Sequence, residues 1–196
     1  GAQSMYAAAT STPTPTPTPT PNPSGSHFAN ISTRMDVGTG NNVMIAGFIV
    51  QGNAPKRVII RAVGPSLGAA GVPNALANPR LELHDSTSAI GGNDDWQTTQ
   101  IGGVITADQV AEIQQSGLAP VDPAESVIIA TLPPGVYTAI VEGVDAGTGV
   151  GLVEVYDLNS ASGSLLANIS TRGFVQTDDN VMIGGFIVVT QPTRVI

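Results

Sequence analysis

Cysteine is absent from the 196-residue chain, and lysine occurs once, at Lys56. The first absence excludes disulfides and thiolate metal sites, and it leaves the redox compartment open. Lys and Arg together number 7 against 15 Asp and Glu, which gives a net charge of −8. Nucleic-acid binding draws on clustered cations that release counterions, so no nucleic-acid partner is expected.

Charged residues and long apolar runs are also scarce. Charged residues make up 11% of the chain, against about 25% in an ordinary soluble domain. No apolar run reaches the roughly 18 residues that predict a membrane span, and the first ten residues lack the basic and apolar regions of a leader, which is compatible with a signal peptide already removed. Gly (23) and Pro (15) are abundant instead.

The first proline-rich segment, residues 11–23, reads STPTPTPTPTPNP. A proline at every second position removes backbone donors and disfavours helix, so this segment is predicted to be an extended polyproline-II spacer. Regular Thr-Pro alternation is typical of O-glycosylated stalks, and a bare linker is the other interpretation. The candidate O-glycosylation sites are Thr12, Thr14, Thr16, Thr18 and Thr20.

From Phe28 onward, short apolar runs are separated by Gly, Asn, Asp and Pro, a pattern typical of an all-β sandwich. One short helix is predicted, with Thr106 as its N-cap and Gly117 at its end. Pro133–Gly135 predicts the tight turn of a hairpin. The fold class expected is therefore an antiparallel β-sandwich of about seven to eight strands. The predicted strands are Phe28–Arg34, Asn42–Val50, Lys56–Val63, Arg80–His84, Ser126–Leu132, Val136–Glu142 and Gly149–Tyr156.

An internal repeat divides the chain. Residues 28–50 return as residues 166–188 with 16 of 23 aligned positions identical, and the match resumes with Arg-Val-Ile at 194–196. The predicted organisation is an N-terminal segment at 1–27, a sandwich domain at 28–158, a linker at 159–165 and a partial second copy at 166–196.

The partial copy carries two strands and the start of a third, which are too few to close a sandwich. Its apolar residues would lie along an unpaired edge, a template for another strand. The copy can pack back on its own domain, complete a neighbouring subunit, or belong to a longer tandem array. We expect the second arrangement, with an acceptor near residues 28–60, because adding strands in trans relieves such an edge most simply. The candidate donor residues are Val181, Ile183, Phe186, Ile187 and Val188.

The segment Gly64–Gly68 fits the G-x-S-x-G pattern of a nucleophile elbow, with Ser66 as the nucleophile. The only histidine downstream is His84, and the β/α alternation of a hydrolase is missing. A structural Gly-Pro turn is therefore the prediction, and no enzyme activity is expected.

Calcium binding is the one cofactor possibility that the residues raise. Asn93, Asp94 and Asp95 follow two glycines, and such a loop supplies the hard oxygens of which calcium needs six to eight. An Asn/Asp/Gly cluster is also typical of turns, which is the favoured interpretation. Trp96, beside this loop, is either a sugar-stacking platform or a partly buried sandwich residue. The candidate calcium ligands are Asp85, Asn93, Asp94 and Asp95.

Seven motifs in order resemble a repeat domain common in large secreted proteins of environmental bacteria: NISTR, GNNVMIAGFIV, RAVGPSL, PRLELHD, NDDW, LPPGVYTAIVEG and GVGLVEVYD. The resemblance covers residues 28–158 and, in part, 166–196. The stretch from LELHD to LPPGVYTAIVEG is also similar to the bacterial pre-peptidase C-terminal domain, a β-sandwich appended to secreted enzymes. Both likenesses imply a non-catalytic module outside the cell or on its surface, and neither provides catalytic residues to carry over.

Two classes of function remain. The first is an extracellular structural subunit that polymerises with itself, head to tail, into a fibre or surface assembly and carries covalent glycan. The second is a secreted module that binds carbohydrate or a surface through the loops around Trp96.

Overall fold

The computed structural model describes residues 27–177 and 180–189. The five candidate glycosylation threonines and the repeat match at 194–196 lie outside these residues. Two short α-helices are present in the described part, α1 at Pro65–Ala69 and α2 at Val110–Gln115, together with single 3-10 turns at Gly40–Asn42 and Val144–Ala146. The ten strands are β1 His27–Val37, β2 Met44–Gly52, β3 Lys56–Val63, β4 Pro79–His84, β5 Ala89–Asn93, β6 Ser126–Leu132, β7 Gly135–Gly143, β8 Gly149–Asp157, β9 Ser164–Arg172 and β10 Ile183–Val189.

The strands form two five-stranded antiparallel sheets, which confirms the predicted all-β sandwich. One sheet has the order β10-β1-β8-β3-β6 and the other β5-β4-β7-β2-β9. Every connection passes from one sheet to the other, except that β4 and β5 form a hairpin. Strands that are neighbours in the chain therefore mostly lie in opposite sheets.

The core lies between the inner faces of the two sheets. In β4, Leu81 and Leu83 are fully buried, whereas Arg80, which precedes Leu81, is exposed. This is the alternation expected of a half-buried strand. A second, smaller cluster covers the outer face of β3 and β6, where Ile59 packs with Trp96 and with Ile113 of α2.

Two local predictions are wrong. Pro133–Gly135 does not make a hairpin, because β6 and β7 lie in different sheets; Pro133 and Pro134 have no N–H to begin a shared ladder. Helix α2 begins at Val110, after Thr106, and the Asp108 carboxylate accepts a hydrogen bond from the Val110 N–H. Helix α2 ends before Gly117, as predicted, and Gly117 has the positive φ of 71° that is common just after a helix.

Candidate assembly interface

The partial copy lies on its own domain. Strand β10 pairs antiparallel with β1, and β9 pairs antiparallel with β2, so that both strands extend the same side of the sandwich. The acceptor falls within residues 28–60, as the repeat suggests. In the single chain, the partial copy thus packs back on its own domain. The sequence favours a different arrangement, in which the copy pairs with a neighbouring subunit.

The connection between β8 and β9 explains why the copy folds back. Lys56, which has no exposed surface, donates to the Asp157 carboxylate at 2.9 Å and to the Asn159 carbonyl at 2.7 Å. The Ser164 hydroxyl accepts from the Ala54 N–H at 3.0 Å. Because both ends of this short connection are held on the turn before β3, β9 begins beside the edge of β2.

The two strand pairs have equivalent registers. Each residue of the first copy has its counterpart 138 positions later in the second. Ser32 lies opposite Gly185 in the β1–β10 pair, and their counterparts Gly47 and Ser170 lie opposite each other in the β2–β9 pair. The pairs Thr33–Gly184 and Ala46–Thr171, Arg34–Ile183 and Ile45–Arg172, and Phe28–Val188 and Val50–Leu166 are related in the same way.

The two copies are therefore related by a pseudo-two-fold axis. Thr33 meets its own counterpart Thr171 across this axis, with 2.6 Å between the two hydroxyl oxygens. Met35 meets its counterpart Gly173, where a Cβ would collide with the Met35 Sδ and Cε atoms. Methionine at both positions would clash at the axis, so the two copies are complementary and not interchangeable at this point.

The predicted donor residues remain largely exposed even though β10 is paired. Phe186 contacts Phe28 edge-to-face, with ring centroids 5.6 Å apart, yet is 64% exposed. Val181, Ile183, Ile187 and Val188 are exposed too. Phe186 and Val188 lie on one face of β10, and Ile183 and Ile187 lie on the other. Large apolar side chains exposed together in this way mark an interaction site more often than an ordinary solvent face.

The nucleophile-elbow motif forms a buried structural turn. The Glu125 carboxylate, which has no exposed surface, accepts from the N–H groups of Gly64 at 3.1 Å and Ser66 at 2.8 Å. Pro79 at the start of β4 packs near Gly64, whereas His84 ends that strand about 17 Å away by strand rise. His84 contacts the Glu82 carboxylate at 3.2 Å, so the structure does not bring Ser66 and His84 together.

The structure separates the predicted calcium ligands. In the β4–β5 hairpin Asn93 lies opposite Leu81, at the other end from Asp85. The Asp85 carboxylate caps its own turn through Thr87 and Ser88, and this hydrogen bonding lowers its pKa. The described residues contain no cluster of three or more His, Asp or Glu side chains that could hold a metal.

Asn93 is a buried structural residue. Its amide oxygen accepts from the Val127 N–H at 2.8 Å, and its amide nitrogen donates to the Gln100 side chain at 2.9 Å. Asp94 points into a cleft that Arg80 and Asp145 also line. Partial burial raises the pKa of Asp94, and repulsion by Asp95 and Asp145 raises it further.

Trp96 cannot serve as a sugar platform, because its ring is buried in the small cluster and its Nε1–H donates to the Asp122 carbonyl at 3.1 Å. No helix in the described part of the chain has the length and apolar character needed to cross a membrane.

The interface residues Thr33, Met35 and Gly173 escape sequence reasoning. Thr33 and Thr171 are identical between the copies and carry no sign of contact. Met35 and Gly173 are among the seven positions where the copies differ, and that difference is the one sequence signal that could have indicated them.

No protein-family model, curated protein or solved structure matches this chain. The resemblance to secreted bacterial repeat domains thus stays a prediction.

Proposed function

We propose that this protein is a non-catalytic extracellular structural subunit, whose partial repeat completes the sheets of a neighbouring subunit in a head-to-tail fibre or surface assembly. The observation that carries the proposal is the pairing of β9 and β10 with β2 and β1 in one repeated register. This pairing is a strand-complementation joint whose two halves are both present in every chain.

The same joint can be made within one chain or between two chains. Its contacts do not depend on which chain supplies β9 and β10, so the choice is set by the connection at 158–163 and by protein concentration. Each chain carries one donor and one acceptor of different sequence. Pairing between chains is therefore heterologous, and it continues into an open filament when the rotation from one chain to the next does not close a ring.

The Thr-Pro tract supports covalent glycan, because it has the composition of glycosylated stalks. The extracellular setting is supported by the resemblance of the chain to secreted bacterial repeat domains. Intact mass spectrometry tests the glycan on its own: we expect a mass above the 19.8 kDa of the bare chain. A mass equal to that of the bare chain rejects the glycan and leaves the fibre joint untouched.

Cysteine trapping tests the joint itself, because the chain has no native cysteine. A Cβ at Gly47 would lie 3.5 Å from the Ser170 Cβ, within the separation that a disulfide spans. One chain receives Gly47→Cys and another Ser170→Cys, and the two are mixed at fibre-forming concentration and oxidised. We expect a covalent dimer between the two variants and extended fibres by electron microscopy.

Ser88→Cys, in the exposed turn of the β4–β5 hairpin, replaces Ser170→Cys as the matched control and should give no dimer with Gly47→Cys. The double variant Gly47→Cys/Ser170→Cys reports the closed form as a disulfide within one chain. If only that intrachain disulfide forms at every concentration, the fibre proposal is wrong.

A further inference from the structure

The inner face of β10 is exposed where the matching face of β2 is buried. Phe186 is 64% exposed and its counterpart Phe48 1%; Val188 is 47% exposed and its counterpart Val50 1%. Phe186 belongs to the inner face because it lies opposite the buried Ile31, and cross-strand partners point to the same side of a sheet. Apolar side chains that fill the core of one copy thus form an uncovered half-core in the other.

The free edges of the second copy can be identified by comparison with the first. Strand β1 lies between β10 and β8, while its counterpart β9 has β2 on one side and no described strand on the other. Strand β2 lies between β9 and β7, while its counterpart β10 has β1 alone among the described strands. The open edge of β9 therefore corresponds to the place of β8, and the open edge of β10 to the place of β7.

We infer that β9 and β10 form a docking surface for the part of a further repeat copy that is equivalent to β3–β8. A β8-type strand lies beside β9, and a β7-type strand lies beside β10. The first copy also sets the register: Ser32 lies opposite Glu154, so Ser170 lies opposite the counterpart of Glu154 in the further copy. This inference concerns the uncovered faces of the partial copy and does not depend on the proposed fibre.

An aromatic contact favours this occupant over a second β9–β10 pair. In the first copy Tyr137 of β7 lies opposite Phe48, and the two rings stack with centroids 5.6 Å apart. A β7-type strand beside β10 brings the matching tyrosine onto Phe186. A second β10 strand has Phe186 as its only aromatic residue, so it cannot bring a tyrosine onto the first Phe186. A second β10 beside the first also leaves the open edge of β9 without a partner.

Thiol protection tests the inference on the full chain extended after Ile196 by a second copy of residues 60–158. Val188→Cys reports the inner face of β10. Ile187→Cys is the matched control, because it is exposed on the outer face and its counterpart Ile49 stays partly exposed. We expect the extension to slow maleimide labelling of Val188→Cys by roughly 100-fold, as for a site that reacts only on local opening, and to leave Ile187→Cys nearly unchanged.

A second measurement tests the register. In the extended chain, Ser170→Cys should form a disulfide with a cysteine at the counterpart of Glu154 in the added copy, and not with Glu154→Cys in the first copy. An extension that stays unfolded, or one that folds and leaves Val188→Cys reactive, overturns the inference. Concentration-dependent protection of Val188→Cys in the unextended chain also overturns it, because the occupant is then another β9–β10 pair.

Discussion

At the scale of single residues, Met35 and Gly173 decide whether the two copies fit together. Counterparts that meet on a pseudo-two-fold axis share one space, and here methionine occupies it while glycine leaves it free. The repeat thus differs in sequence at a position where methionine in both copies would cause a clash.

Gly173→Met is expected to lower the free energy of unfolding by about 1–3 kcal/mol, the usual cost of overpacking. Chemical denaturation measures this cost, and hydrogen exchange should show β9 and β10 opening first. The double variant Met35→Ala/Gly173→Met, which removes the competing side chain, should recover part of the loss. If Gly173→Met leaves both measurements unchanged, the axis contact is wrong.

Asp94 carries a pH-dependent cost. Its folded pKa lies above the ordinary 3.8 because of partial burial and of repulsion by Asp95 and Asp145. The folded protein therefore disfavours the charged carboxylate, and this cost appears as the pH rises through the folded pKa and is fully present at neutral pH.

Asp94→Asn should raise the free energy of unfolding at pH 7 by under about 1 kcal/mol, since solvent screens much of the charge. The gain should disappear below pH 3.8, where the carboxyl is neutral in both states. Denaturation at pH 3 and pH 7 measures the difference. A gain that is equal at both pH values, or a loss at pH 7, contradicts the assignment.

At the scale of elements, Lys56 joins the start of β3 to the end of β8 and to the connection that leads into β9. Both side chains of the Lys56–Asp157 pair are buried, with at most 1% exposed. Removing one partner of such a pair leaves an uncompensated buried charge.

Lys56→Met should therefore lower the free energy of unfolding by about 3–5 kcal/mol and loosen β9, as denaturation and hydrogen exchange would measure. Lys56→Met with Asp157→Leu removes both charges and should restore most of that stability. The matched control is Arg57→Met, which breaks a partly exposed pair with Glu112 and should cost about 0–1 kcal/mol. Equal losses in the two single variants would argue against the buried pair.

The strands were predictable where the sequence has strong local signals. Lys56–Val63 and Ser126–Leu132 are runs of β-branched residues, and both strands have the predicted limits. Strand β5 has the sequence AIGGN, whose glycines hide the pattern, and it is held by pairing with β4. The mistaken hairpin at Pro133 has a related cause, because local turn chemistry does not reveal which sheet the next strand joins.

The candidate interface was predictable in part. The repeat locates the donor and acceptor segments, since residues 28–50 and 166–188 share most of their sequence. The sequence does not reveal the pseudo-two-fold axis, because Thr33 meets Thr171 only through the three-dimensional arrangement of four strands. The sequence favours pairing in trans because it does not reveal that Lys56 anchors the connection to β9. That anchoring depends on contacts between residues that are distant in the chain.

At the scale of the whole molecule, β1–β8 carry most of the core and the partial copy covers one side of it. Leu166 is the buried residue of the partial copy that joins this core. A chain that ends at Gly163 is therefore expected to remain folded and monomeric but less stable, because the edges of β1 and β2 become free.

Circular dichroism and denaturation test the folding of this shorter chain, and electron microscopy tests its assembly. We expect retained β structure, an earlier unfolding midpoint and no fibres. Fibres with the repeat of the full chain would show that the sheet faces or the N-terminal segment make the contact instead.

The Met35–Gly173 contact also gives any chain-to-chain assembly a direction. Two methionine-type copies clash at this position, so head-to-head unions are rejected at the joint. A fibre built through this joint is polar: one tip displays unfilled β1 and β2 edges and the other an unplaced β9–β10 pair. The two tips would then grow at different rates, and a short cap specific for one of them would stop elongation from that end alone.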